Sequence, residues 1–441
     1  MKSNLTLVLI IFFGYVIGQN TINTNPINVT DSIQTDNSTK KTGFGIGGTP
    51  ILAYDADLGL KYGVIINLFD YGTIFPNYKH FAKIKLLNST NGTSHFSLIY
   101  DNNTLIKKGN LIFESTYIKD ILLNFYGFNG EMSKYNENIK NMNHNEYLNP
   151  YYYSHERGLF KLRLDFNKQI FDSKLTFISG ASYHNYSIGK TNLDKFNLME
   201  SNMNNTLFEK YIEEGIISDS EKDGGQLFQL KLGLGIDTRD NKINCNSGVL
   251  FESYFLATTT SHNTNLFKNI TTFKHYIFIP KVNTLLTYRL TSQQKIYGKN
   301  PFYYLPTYHD SNGDVDGLGG TYNLRGIYRN RIVADGFISG NIELRKSIIK
   351  FESFKQQCDI VLSVFSDFSY ITQNYFPQST KLTSSEFPTL FTNQQQRINY
   401  TYGAGFYFIY NTNNIISVNY GMSPNKNLGT AGLYIGASFL F

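Results

Sequence analysis

Residues 317–331, GLGGTYNLRGIYRNR, form the most informative stretch of this chain. A Gly-Gly pair is followed by Leu324, Arg325 and Gly326, with a hydrophobic and an aromatic residue behind them, in the longest loop-like run that precedes a strand. The chain ends in LYIGASFLF, an alternating strand whose last residue is Phe441. A glycine-rich loop with one buried-looking arginine, followed by strands up to the last residue, predicts an all-β protein.

The composition excludes several classes of protein. The chain has 441 residues, which is long for one domain, although β-barrels commonly exceed the usual length as single units. It contains 33 Tyr, 35 Phe and only 2 Cys, so it is not a disulfide-stapled secreted scaffold. A mean hydropathy of −0.28 argues against a helical membrane protein but not against a membrane barrel, in which only every second residue faces lipid. The net charge of +6 is scattered, so nucleic acid is not an expected partner.

The first 18 residues are predicted to be a signal peptide. Lys2 precedes an apolar run from Leu5 to Val16, which is shorter than the roughly 20 apolar residues of a membrane-spanning helix. Residues 19–42 are polar and without periodicity, so we expect 19–56 to be a periplasmic linker that leads to a barrel at 57–441.

From Gly43 the chain turns to strands, in which apolar and polar side chains alternate with a period of two almost everywhere. One predicted face of 226–237 carries Phe228, Leu230, Leu232, Leu234 and Ile236, opposite Gln229, Lys231, Gly233, Gly235 and Asp237. The same pattern sets Ile338, Ile342 and Leu344 against Asn341, Glu343 and Arg345, and it sets Leu433, Ile435, Phe439 and Phe441 against Tyr434, Gly436 and Ser438. Soluble β-sandwiches also alternate, so this pattern alone does not decide the fold.

The lengths of the connections distinguish a barrel from a sandwich. Sixteen strands are predicted at 57–69, 78–88, 95–102, 109–118, 120–127, 155–167, 173–187, 226–237, 248–259, 270–280, 282–297, 336–348, 358–371, 399–410, 414–423 and 430–441. The long connections 128–154, 188–225, 298–335 and 372–398 all follow odd-numbered strands, whereas those after even-numbered strands are short, among them 89–94. Transmembrane barrels segregate short periplasmic turns from long external loops in this way. We therefore expect a 16-stranded antiparallel transmembrane β-barrel in the bacterial outer membrane.

Five motifs in order resemble the BamA/TamA-type family of outer-membrane assembly barrels (bacterial surface antigen type). The glycine-rich segment 317–326 is similar to the family's sixth external loop, with Arg325 and Gly326 in its arginine motif. The other motifs are NFYGFNGE (124–131), IDTRDNKINCNSG (236–248, with Lys242 and Cys245 where prolines are common), GNIELR (340–345, with Glu343) and VFSDFS (364–369, with Asp367, and Ser369 where the family usually has glycine). The resemblance implies a barrel-only member without periplasmic POTRA domains, because residues 19–42 are too few to form one.

The resemblance also implies that Arg325 folds back into the barrel and meets Glu343 and Asp367. Both carboxylates fall on the predicted lumenal face, and a planar guanidinium can serve two acids. An unpaired charge there would cost several kcal/mol. The alternative is a solvated Arg325 in the loop and acids that line a wet lumen.

Three functions remain open from the sequence. The first, implied by the resemblance, is assembly or insertion of outer-membrane proteins, with outer-membrane lipid and unfolded barrel proteins or other assembly components as partners. It would use a weak seam between the first strand (57–69) and the last, where Gly59, Gly63, Gly432 and Gly436 lie, and Phe441 would be the C-terminal barrel signal. The second is a passive pore or transporter, and the third is a structural surface protein.

Residues for chemistry are sparse. The histidines are dispersed, and no nucleophile motif, phosphate loop or pair of cysteines at ligand spacing occurs, so no enzyme, catalytic residue, cofactor or metal is expected. The segment DSNGDVD (310–316) lacks the closing glutamate of a calcium loop and is predicted to be an external polar loop. Cys245 and Cys358 lie on turns several strands apart, so a disulfide between them is not expected.

Overall fold

The computed structural model describes residues 43–72, 78–171, 174–192, 205–311, 313–353, 356–377, 381, 387–411 and 414–441. The predicted signal peptide (1–18) and the polar part of the predicted linker (19–42) lie outside the described residues.

Sixteen antiparallel strands close into one barrel, as predicted. They are β1 (Phe44–Asp55), β2 (Gly59–Asp70), β3 (His80–Ser89), β4 (Thr93–Asn102), β5 (Gly109–Asn124), β6 (Ser154–Gln169), β7 (Leu175–Gly189), β8 (Gly224–Asp237), β9 (Gly248–Thr260), β10 (Asn265–Ile279), β11 (Thr284–Gly298), β14 (Gly336–Ser353), β15 (Gln356–Gln373), β16 (Asn399–Tyr410), β17 (Asn414–Met422) and β18 (Ala431–Gly436). Strands β12 (Thr307–Asp310) and β13 (Gly313–Asp316) form a separate hairpin within the connection between β11 and β14. Short helices α1 (Leu207–Glu213) and α2 (Phe387–Leu390) lie in other long loops, and no helix among the described residues has the length and hydropathy to cross a membrane.

The predicted alternation of the strands is confirmed. On β8, Phe228 and Leu230 are 59% and 65% exposed on the outside, whereas Gln229 is buried in the lumen and donates a 2.6 Å hydrogen bond to the Tyr304 hydroxyl. On β14, Ile342 and Leu344 are exposed, and the three polar residues that alternate with them are buried. Apolar side chains outside and polar side chains inside are the pattern of a barrel in lipid.

The start of the barrel was predicted wrongly. Residues 44–55 form β1, so the barrel begins before residue 57, and the predicted strand 57–69 is the second strand, β2. The sequence of β1, FGIGGTPILAYD, contains three glycines and Pro50, which are typical of loops and are tolerated in strands mainly at sheet edges.

The predicted strands 109–118 and 120–127 are one strand, β5, whose ladder to β6 shifts register between Asp120 and Leu123. This error offsets the missed first strand, so the count of sixteen is right. The turn 90–92 therefore lies at the same end of the barrel as the long connections 125–153, 190–223, 299–335 and 374–398, and its predicted assignment to the short-turn end was wrong. The assignment of ends holds from β6 onwards.

The last strand is shorter than predicted. It ends at Gly436, and residues 437–441 leave the wall, so that Phe439 and Phe441 are buried instead of facing lipid. The Phe439 ring packs on Tyr407 with 4.7 Å between ring centroids, and the guanidinium carbon of Arg345 lies 3.9 Å from its centroid. The tail (residues 437–441) has no ladder partner on β1 and makes these contacts in the lumen instead.

The core of the molecule is the lumen. The connection 299–335 runs inside it, and most of its described residues are buried. At the long-loop end, four long connections meet in a largely aromatic cluster that includes Tyr126, Tyr153, Tyr211, Phe302 and Tyr375. The interior is therefore packed by the protein's own loops.

Candidate functional site

Arg325 lies inside the barrel and binds Asp367 with three donors. Its Nε and Nη2 atoms donate to the two carboxylate oxygens at 3.0 and 2.9 Å, and its backbone N–H donates to Oδ2 at 3.0 Å. Asn341 donates to the same carboxylate at 2.8 Å. The guanidinium carbon lies 3.2 Å from the centroid of the Phe365 ring. A two-pronged pair with these additional contacts fixes both the position and the orientation of Arg325.

Glu343 joins the cluster at a longer distance. Its Oε2 lies 3.8 Å from Nη1 of Arg325 and accepts a hydrogen bond of 3.3 Å from Arg345. Its Oε1 accepts a hydrogen bond of 2.5 Å from the Tyr407 hydroxyl. The structure thus brings together the three predicted residues, with Asp367 as the main partner of Arg325 and with Glu343 shared between two arginines.

Gly326 places the arginine loop against the last strand. Its φ of +97° favours glycine, and an added Cβ would lie 2.8 Å from the backbone nitrogen of Met422 on β17. Its N–H donates a 3.0 Å hydrogen bond to the hydroxyl of Tyr434 on β18. A Cβ on Gly432 would overlap the Tyr434 ring, so this predicted glycine makes room for the contact.

A second buried charge cluster was not found from the sequence. Arg157 on β6 binds Asp120 at 2.6 Å and Asp316 of the lumenal hairpin at 2.8 Å. Arg329 also binds Asp316 and lies 3.5 Å from Asp120. Two arginines and two aspartates neutralise one another, which is what buried charges require. The alternating polar positions of β5 and β6 were visible in the sequence, but their loop partners were not.

The segment DSNGDVD is not an external loop. Apart from residue 312, which lies outside the described part, it comprises the end of β12, the turn and all of β13 in the hairpin inside the lumen. Asp310 lies 2.9 Å from Arg289 and 3.3 Å from Lys274, and Asp314 lies 2.7 Å from His309. Cationic side chains of the barrel wall compensate these aspartates, Arg289 and Lys274 for Asp310 and Lys161, at 3.7 Å, for Asp314. No local sequence pattern records these partners.

The seam between the first and last strands is held by a very short ladder. Only Tyr54↔Ile435 and Asp55↔Tyr434 pair across it among the described residues, whereas the next shortest ladder in the barrel has six pairs. Residues 44–53 of β1 pair with β2 alone. Gly59 and Gly63, predicted at the seam, lie on β2, where an added Cβ on Gly63 would overlap the carbonyl oxygen of Leu86. That glycine serves the packing of β2 on β3.

The connection 299–335, the lumenal loop, contacts both margins of the seam. On the β18 side, Tyr328 N–H donates to the carbonyl of Leu428 at 3.0 Å, and Arg331 donates to the carbonyl of Asn427 at 2.8 Å. On the β1 side, the N–H of Arg329 donates to Asp57 in the β1–β2 turn at 3.1 Å. Burial and the neighbouring Asp55 charge raise the pKa of Asp57 to about 7, against the effect of Arg329.

Cys245 and Cys358 are both free and buried. Within the described ranges, no group of three or more His, Cys, Asp or Glu side chains is arranged to hold a metal ion. Phe441 lies in the lumen, with its ring 5.2 Å from the guanidinium carbon of Arg289.

No protein-family model matches the sequence, and no curated protein matches it. Among solved structures, the barrel is similar to the crystal structure of BamA from Haemophilus ducreyi lacking POTRA domains 1–3, with a TM-score of 0.52 and 13% identity over 90% of this chain and 71% of that one. It is also similar to CdiB from Escherichia coli, with a TM-score of 0.54 and 8% identity over 91% of this chain and 64% of CdiB. The chain thus spans less than two thirds of CdiB.

At such identities the likeness defines the fold. The chain has the 16-stranded barrel fold that is found in BamA and CdiB. Closed antiparallel barrels with an apolar outer band and an even number of strands are outer-membrane proteins, and this protein is one of them.

Proposed function

We propose that this protein acts in the assembly or insertion of other barrel proteins in the bacterial outer membrane, by presenting the edge of β1 as a template. The observation that carries the proposal is the two-pair ladder between β1 and β18. Backbone N–H and C=O groups without partners are costly in lipid, so an edge strand readily accepts a new strand. Strand addition along such an edge is a general mode of peptide recognition.

The composition of β1 supports the role of an edge. Pro50 lies within the stretch without seam partners, and a proline removes one backbone donor. Phe44 and Ile46 at its start are 72% and 58% exposed, so an incoming strand would find apolar neighbours on the lipid-facing side. A strand added here would extend the barrel wall.

The Arg325 cluster supports the same function by holding the lumenal loop at the seam. Arg325 is fixed by Asp367 on β15, and the following residue binds Tyr434 on the last strand. Because the anchored loop also contacts Asp57 beside β1, it braces both margins while the ladder between them is short. The cluster thus positions the loop at the seam, and the edge of β1 is the surface that would bind an incoming strand.

The filled lumen argues against a passive pore, the second candidate. The β12–β13 hairpin fills the interior with buried charge pairs, and the tail adds phenylalanine rings that contact lumenal arginines. The aromatic cluster caps the long-loop end. A purely structural surface protein would not need a seam with only two residue pairs among the described residues, because full pairing of β1 with β18 would stabilise the barrel more.

A disulfide across the seam tests the proposal. Tyr54 and Ile435 are register partners, so Tyr54→Cys with Ile435→Cys, in a background with Cys245→Ser and Cys358→Ser, locks the seam on oxidation. The matched control is Val64→Cys with Leu86→Cys, a register pair in the ten-pair ladder between β2 and β3. We expect the reduced protein in liposomes to accelerate folding of an unfolded outer-membrane barrel, the oxidised seam pair to abolish that acceleration, and the control pair to have no effect. Equal activity of the locked and unlocked seam would contradict the proposal, and ion conductance without acceleration would support a pore.

A further inference from the structure

The lumen holds an aromatic-binding pocket that the proposed edge mechanism does not use. Arg289, Arg345 and Tyr407 line it, and the last residues of the chain fill it. The Phe439 ring contacts both the Arg345 guanidinium, at 3.9 Å, and the Tyr407 ring, at 4.7 Å between centroids. Phe441 lies 5.2 Å from the guanidinium carbon of Arg289 and 5.5 Å from that of Arg345.

The two arginines of the pocket form hydrogen bonds and ion pairs with residues outside the tail. Arg289 is fixed by Asn341 at 2.8 Å and by Asp310 at 2.9 Å. Among the residues that the structure describes, Arg345 has one ion-pair partner, Glu343 at 3.3 Å, and its buried Nε has no hydrogen-bond partner. A guanidinium that is short of hydrogen-bond acceptors gains from the faces of aromatic rings, which is what the tail supplies.

The pocket lies towards the short-turn end of the barrel. Arg345 pairs with Leu285, the second residue of β11, directly after the turn of residues 280–283. The tail bends away from the wall at Ala437 and Ser438, which are exposed, and the two phenylalanines that follow are buried in the pocket. The contacts are made by alternate side chains of that segment, so they select a pattern of side chains and do not require that the segment belong to this chain.

We propose that this pocket is a binding site for a short peptide segment with aromatic residues at alternate positions, and that the chain's own residues 437–441 are its resident occupant. This inference goes beyond the proposed function, since binding in the pocket needs no client to fold.

The tail has a second place to go when the pocket is taken. Continuing the register of Tyr54↔Ile435 would set Phe439 opposite Pro50 and Phe441 opposite Gly48, on the stretch of β1 that has no partner on β18. Both rings would then face lipid, on the same side of the wall as Leu433. A peptide in the pocket therefore releases the tail towards the seam, and the position of the Phe439 side chain reports which of the two sites the tail occupies.

The protein contains no tryptophan, so Phe439→Trp introduces a single fluorescent reporter. In liposomes of brominated phosphatidylcholine, we expect the full-length variant to be protected from quenching by the lipid. Addition of the peptide Ala-Ser-Phe-Leu-Phe should increase the quenching, and Ala-Ser-Ala-Leu-Ala should not. Strong quenching before any peptide is added would place the tail in lipid and overturn the proposal, as would an equal response to both peptides.

Direct binding gives the second readout. A labelled Ala-Ser-Phe-Leu-Phe peptide should bind a barrel that lacks residues 437–441 about tenfold more tightly than the full-length barrel, and Arg345→Ala in the truncated barrel should reduce that affinity by a similar factor. If the truncated barrel does not fold, Phe439→Ala with Phe441→Ala in the full chain empties the pocket instead. Binding that is equal with and without the resident phenylalanines, or that is unaffected by Arg345→Ala, would overturn the proposal while leaving the seam mechanism untouched.

Discussion

The backbone N–H of Gly326 donates a 3.0 Å hydrogen bond to the hydroxyl of Tyr434, and this bond ties the lumenal loop to the last strand of the barrel. The residue before it, Arg325, binds Asp367 on β15. Two adjacent residues thus fix the loop to a strand in the body of the wall and to the strand at the seam.

Arg325→Ala should destabilise the barrel by about 3–5 kcal/mol, because it leaves the buried carboxylate of Asp367 without its charge partner. Arg325→Lys should recover part of this loss, since an ammonium group lacks the planar fork that binds both oxygens. Thermal unfolding and protease accessibility of residues 299–335 are the measurements. Lys222→Ala, which breaks the exposed pair with Asp219, is the control and should change little. An Arg325→Ala barrel with wild-type stability and cleavage would contradict the role of the cluster.

Tyr434→Phe should cost about 1–3 kcal/mol, because the N–H of Gly326 then remains buried without an acceptor. Oxidation of the Tyr54→Cys and Ile435→Cys pair should also become slower, since the loop no longer steadies β18. Tyr420→Phe on the exposed outer face of β17 is the matched control. Identical unfolding curves for the two variants would mean that the hydroxyl contact does not hold the loop.

Asp57→Asn should reduce the dependence of stability on pH. Burial raises the pKa of Asp57 from 3.8 to about 7, so the folded protein holds this proton more tightly than the unfolded chain does. The wild type therefore loses stability as pH rises between about 4 and 7, and the loss is complete above the folded pKa. Asparagine does not titrate and still accepts the hydrogen bond from Arg329. Melting temperatures of both proteins across this range are the test, and parallel curves would show that Asp57 does not titrate in this window.

Deletion of Ser438 to Phe441 should leave the barrel closed. The sequence alone predicted that these residues complete the last strand, but the ladder to β1 uses Tyr434 and Ile435. The truncated protein should keep the fast migration of a folded barrel on unboiled gels, with a loss of roughly 3 kcal/mol from the missing aromatic contacts. Loss of the fast-migrating form would mean that the tail takes part in closure.

The sequence predicted those features that repeat along a strand. The alternation of Phe228, Leu230 and Leu232 is sufficient to orient β8, because a one-residue shift would bury its whole apolar face among polar groups. Arg325, Asp367 and Glu343 were found through a resemblance of ordered motifs, and their alternation placed both acids in the lumen.

Features that depend on distant partners were not predictable. Strand β1 resembles a loop because its glycines and Pro50 suit an edge, and only its partner β2 makes it a strand. Asp310 is buried because Arg289 on β11 and Lys274 on β10 compensate its charge. The local sequence around Asp310 does not indicate these distant partners. The alternation of the tail predicts a continuous strand. Its rings lie in the lumen because they contact Arg289 and Arg345, which are on other strands.

Site-specific photo-cross-linking shows whether the edge of β1 receives an incoming strand. A photoreactive phenylalanine analogue at Ile46 or Leu52 faces outward on the part of β1 that has no seam partner, and the same analogue at Leu234 on β8 is the matched control in a fully paired strand. During insertion of an unfolded outer-membrane barrel, we expect adducts with that client from both β1 positions and none from position 234. Equal labelling at all three positions, or none at β1 while the client still folds faster, would contradict the account.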